Sequence, residues 1–109
     1  MNTNELLSRY AAGQKDFREV DLIAANLRNV DLSYANLSGA KLISAKLSGA
    51  NLTRANLSNV NLSGANLSGA NLSGANFSKA NLTNANISNI NLNGANLHGA
   101  TMPDGTTHN

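Results

Sequence analysis

A large apolar side chain recurs at every fifth position from residue 17 to residue 102: Phe17, Leu22, Leu27, Leu32, Leu37, Leu42, Leu47, Leu52, Leu57, Leu62, Leu67, Leu72, Phe77, Leu82, Ile87, Leu92, Leu97 and Met102. On an α-helix five residues turn about 500°, so successive centres would step roughly 140° around the cylinder and face all directions. On a flat strand five is odd, so the centres would alternate between the two faces. Only a chain that turns a corner within every pentad keeps all of them on one side. Two residues before each centre stands Ala in most pentads and Val20, Val30, Val60 or Ile90 in the rest, with Lys15 the exception in the first, terminal repeat. These two positions point inward together, the residue between them points out, and the remaining two make the bend.

The corner residues agree with this geometry. The second residue after the centre is Gly at 39, 49, 64, 69, 74, 94 and 99, and Asn at 29, 59, 84 and 89. Both types accept the positive φ that a type II turn needs at its third position. The column Asn29, Gly49, Gly69, Asn89 is expected to carry that geometry throughout. Pro103 follows the last centre, where a turn favours φ near −65°.

Composition removes whole classes of chemistry. The chain has 109 residues and no Cys, so disulfides, thiol catalysis and thiolate metal sites are out. At 4% aromatic residues it cannot build a core from large rings. Asn is in excess, but 12 of its 20 copies stand directly before a centre, which makes them a register and not a low-complexity tract. Stacked one coil apart, their amides are expected to hydrogen-bond to one another in ladders.

The strings Ala35-Asn36-Leu37-Ser38-Gly39, Ala65-Asn66-Leu67-Ser68-Gly69 and Ala70-Asn71-Leu72-Ser73-Gly74 resemble the pentapeptide-repeat family, whose pattern is Ala-(Asp/Asn)-Leu-X-X. The resemblance covers residues 15–104. It implies an all-β chain wound as a right-handed, quadrilateral parallel β-helix with four pentads per coil, so that 18 pentads make about 4.5 coils. Residues 9–13 and 16–22 resemble the lead-in segments of cyanobacterial members.

Three segments follow. Residues 1–14 form a capping helix and lead-in, residues 15–104 the β-helix, and residues 105–109 a polar tail. In the first, Asn2 is the expected N-cap with Glu5 three residues on. Leu6, Leu7 and Tyr10 give an apolar face, Gly13 supplies the stop, and a helix over residues 3–12 is expected to lie on the first coil. The last coil has no comparable cover. Pairing with a second copy of the chain through that end is therefore expected.

The best-known activity that the resemblance implies is imitation of duplex DNA by acidic members that bind type II topoisomerases such as gyrase. This chain runs against it: between Leu32 and Pro103 there is no acid, while Lys41, Lys46, Arg54 and Lys79 are basic. Those bases are scattered singly and lack aromatic partners, so a nucleic-acid interface is not expected either. Ser and Thr follow 11 of the 18 centres, which marks them as corner residues, and His98 and His108 are two imidazoles without further ligands. No catalytic residue, cofactor or metal site is expected. The N-terminus lacks a signal-like apolar run and no stretch reaches the roughly 20 residues that span a bilayer, so a cytoplasmic protein away from membranes is expected. What remains is a non-enzymatic scaffold or interaction module with an unidentified protein partner, the topoisomerase-binding DNA mimic being the alternative.

Overall fold

The computed structural model describes residues 1–109. One helix, α1 (Thr3–Ala11), opens the chain. Asn2 caps it, its Oδ1 accepting from the Glu5 N–H at 2.8 Å, which satisfies one of the orphan donors of the first turn. The Glu5 carboxylate does not return to the cap; it pairs with Arg9 one turn on. Gly13, at φ +100°, ends the helical path, and its N–H donates to the Tyr10 carbonyl. The helix lies against the solenoid. Leu6 is fully buried in the common core, and the Tyr10 hydroxyl donates to the Ser33 carbonyl at 2.7 Å.

From the pentad centred on Leu37 to that centred on Leu82, every pentad repeats one hydrogen-bond scheme. Around Leu57, the centre N–H donates to the Asn76 carbonyl (2.7 Å), the Asn59 N–H to Ser78 (3.0 Å), the Asn56 N–H back to Ala35 (2.9 Å), and the Val60 N–H closes the corner on Leu57 (3.2 Å). Three of these four bonds join one coil to the next. Fourteen parallel bridges result, each linking a residue to the one 20 positions on, from Asp16 with Asn36 to Asn81 with Thr101. Four pentads therefore complete one circuit, and each wall contributes a single bridging residue per circuit. Only 5 of 72 backbone hydrogen bonds lie within regular elements, so cohesion resides in the coil-to-coil ladders and the corners.

Corner geometry is uniform. The second residue after the centre has positive φ at 17 successive corners, from Glu19 (62°) to Gly99 (73°). Asn29 (60°), Gly49 (69°), Gly69 (68°) and Asn89 (57°) adopt it as expected, yet that column is not special, because the other three columns do the same. Glu19, Ala24, Tyr34, Ser44, Arg54 and Lys79 hold this conformation despite a Cβ, at a cost of about 1 kcal/mol or more each. At the final corner Gly105 takes the positive φ (86°) in place of Asp104.

The inward positions make a single apolar core, and no polar or charged residue is buried. Every centre from Phe17 to Leu82 is at most 2% exposed. The last four, Ile87, Leu92, Leu97 and Met102, are only half-buried, because no further coil covers them. The polar tail is tied to the rod. After the turn at Pro103–Gly105 it folds back antiparallel on the last coil, bridging Thr107 to Thr101, with the His108 N–H on Ala100 and the Gly99 N–H on His108 (both 2.8 Å). The molecule measures 37 × 24 × 24 Å.

Candidate interaction surface

Outward chemistry begins with the residue before each centre, whose side chain leaves the wall between two inward neighbours. Here the expected amide ladders are corrected. All twelve of these Asn direct Oδ1 to the N–H two residues on in their own pentad, as Asn66 does to Ser68 at 3.0 Å and Asn96 to His98 at 3.0 Å. No amide bonds to an amide of the next coil. A bond two residues away is prepaid by the local turn, whereas an amide ladder must order two side chains across a strand spacing of about 4.8 Å. Asp16, Asp21 and Asp31 make the same bond, to Arg18, Ile23 and Ser33. Fifteen of the eighteen positions before a centre are so engaged; Lys41 and Lys46, which have no acceptor, and Thr101 are not.

Charge is distributed unevenly along the rod. The acids gather at its beginning. Asp16 meets Arg18 in a bidentate pair (Nε and Nη2 both 2.9 Å from the carboxylate), which holds its carboxyl below the ordinary range and raises Arg18. The Ser33 backbone N–H, then its hydroxyl, lowers Asp31, and the Thr106 hydroxyl and N–H lower Asp104 at the far end. The two ion pairs are Arg9–Glu5 and Arg18–Asp16, so Lys41, Lys46, Arg54 and Lys79 stand unpaired on the surface. Arg54 lies across the Gly74 corner, bordering a shallow groove with Ser73, Asn93 and Gly94. His98 faces outward on the last coil and His108 belongs to the returning tail; no group of three or more His, Cys or carboxylate side chains gathers anywhere. No helix is long and apolar enough to cross a membrane.

One outward feature escapes the periodic reading. The residue just after the centre is polar in most pentads, but Ile23 and Ile43 occupy it in successive coils of one wall. Ile23 is 48% exposed and lies beside Met1, which is 37% exposed, at a groove also lined by Asp21 and Leu22. Counting the residue types at that one position would have revealed it.

The pentapeptide repeats family matches this chain in eight copies, over residues 21–59, 35–74 and 61–99. No curated protein matches. Among solved structures, a pentapeptide repeat protein from the Arabidopsis thaliana thylakoid lumen is 38% identical with a TM-score of 0.79, over 87% of this chain and 66% of that one. Rfr23 from the cyanobacterium Cyanothece 51142 is 41% identical with a TM-score of 0.64, over 74% of this chain and 58% of its own. The protein alr5209 from Nostoc is 41% identical with a TM-score of 0.52, over 91% and 78%. This chain thus spans about two thirds or less of the length of the first two. These relatives give the parallel coils the right-handed sense of their β-helix, and the chain belongs to the pentapeptide-repeat family.

Proposed function

We propose that this chain is a non-enzymatic scaffold or interaction module: a right-handed rod of about 4.5 coils, closed at its beginning by α1, that offers its walls to a protein partner. One observation carries the reading. Ala, Leu and Phe fill the interior and the ladders use main-chain atoms alone, so outward side chains vary without disturbing the fold. The purified chain, immobilised as bait in an extract of its source organism, is expected to retain a protein that rebinds saturably when both are pure; retention of none would count against the reading. Imitation of duplex DNA is opposed by the absence of acids between Leu32 and Pro103. No inhibition of gyrase supercoiling is expected, and inhibition would reverse the choice.

A second copy of the chain is one further partner. In the last coil the N–H groups of Ile87, Leu92 and Leu97 have no backbone acceptor, and their side chains are half-buried. The returning tail already occupies the neighbouring wall as an antiparallel strand. An end-to-end pair would extend that pairing. Sedimentation at high concentration is expected to show a dimer that Ile87→Lys dissociates; a monomer throughout would rule the pairing out.

A further inference from the structure

The first two coils depart from the repeat in several ways at one corner, and each departure costs stability. Lys41 and Lys46 forfeit the bond to the N–H two residues on that an Asn or Asp there makes. At the outward position where most other pentads carry Ser or Thr stand Ile23, which is exposed, and Ile43, which is half-buried, and Met1 extends the patch from Ile23 across a groove of about 420 Å³. The two forfeited hydrogen bonds and the outward isoleucines, in adjacent repeats at one corner of the rod, need a gain outside the fold.

Charge says what would supply it. Lys41 and Lys46 flank Ile43, one on each wall, both exposed and without an ion pair. Asp21, beneath Lys41, is the only acid on these two walls before Asp104. An apolar centre with a basic rim complements apolar side chains flanked by carboxylates.

We propose that this corner, centred on Ile23 and Ile43 and rimmed by Lys41 and Lys46, is the docking surface for an acidic, apolar segment of a partner protein. The proposal rests on the interaction-module reading and names its surface and the chemistry of its partner. Burial of the two isoleucines supplies affinity, and the lysines select acidic segments and speed their encounter.

The repeat itself supplies variants that keep the fold. Ile23→Ser with Ile43→Ser, and Lys41→Asn with Lys46→Asn, install the residues that other pentads carry at the same positions. Circular dichroism is expected to show both double variants folded, the asparagine pair with a melting temperature equal to or above that of the parent. The binding probes are short fluorescein-labelled peptides alternating Glu with Leu, Glu with Ser, or Lys with Leu, read by anisotropy. The parent is expected to bind the Glu–Leu peptide saturably, and each double variant to weaken it at least about tenfold. Added salt weakens the parent's binding more than that of the asparagine variant. Four results would overturn the docking surface: no saturable binding of the Glu–Leu peptide, equal binding of the Lys–Leu peptide, unchanged binding by the variants, or binding of phosphatidylserine vesicles in place of the peptide. A natural partner retained equally by the parent and by the Ile23→Ser/Ile43→Ser variant would also overturn it while leaving the module reading intact. Retention of no partner by either would fail the module reading itself.

Discussion

Asn56 accepts from the Ser58 N–H at 3.0 Å and from the Ser58 hydroxyl at 2.8 Å, tying the start of a corner to the wall that feeds it. Asn56→Ala removes both bonds and is expected to cost about 1 kcal/mol in chemical unfolding, whereas Asn56→Asp keeps an acceptor there and costs less. Asn56→Lys behaves like the alanine variant: the side chain escapes to solvent, so the fold survives while the bond is lost. Because Asn does not titrate, most corners are indifferent to pH. At Asp16, Asp31 and Asp104 the hydrogen bonds from Arg18, Ser33 and Thr106 hold the carboxyl below the ordinary aspartate range in the folded state. Groups shifted downward contribute stability that is complete above their unfolded pKa and disappears as pH falls through the folded value. The denaturant midpoint is therefore expected to hold steady down to about pH 4 and decline below it. Replacing the three by Asn, which keeps the accepting oxygen, is expected to make that acid decline shallower.

Within an element, a corner is felt by the corner one coil above. The Asn29 side chain lies where a Cβ on Gly49 would stand, while nothing occupies the same space at Gly69. Both glycines have positive φ, so Gly49→Ala and Gly69→Ala share a backbone cost of about 1–2 kcal/mol. Gly49→Ala is expected to cost more, and Asn29→Ala in the same chain to bring the two into line; additive effects in that double-mutant cycle would show the contact to be irrelevant. Similar pairs recur where Glu19 covers Gly39 and Arg54 covers Gly74, a long side chain crossing the bare corner 20 residues on. α1 is held in another manner, by Leu6 in the core and Tyr10 on Ser33, with the Lys15 ammonium 3.6 Å from the Tyr10 ring centroid.

For the whole molecule, order passes from coil to coil, so position along the rod decides what a substitution does. Leu57 has coils on both sides and is fully buried; Leu97 sits in the half-covered last coil. Leu57→Lys is expected to abolish cooperative thermal unfolding by placing a charge in the middle of the core, whereas Leu97→Lys should lower the midpoint and leave a folded rod. The five-residue period was enough to identify the centres Phe17 to Met102, the corners and the inward Ala and Val, because an odd period reconciles one-sided burial only with a turn in every repeat. Four pentads per circuit came from the family resemblance and is written in the 20-residue bridges. Pattern alone did not say which hydrogen-bond partner each Asn takes, since a donor two residues on and an amide one coil away are both compatible with the same string. Nor did it place the tail: Thr107 meets Thr101 only because the last coil leaves an unpaired edge within its reach. The two isoleucines after the centre, Ile23 and Ile43, were legible as residue types, but only the 20-residue circuit stacks them at one corner. Sequence by itself determined what faces inward, because that is a local alternation repeated eighteen times. Tertiary structure decided what the outside does, because each outward neighbour is set by the winding of the coils and the place where the winding stops.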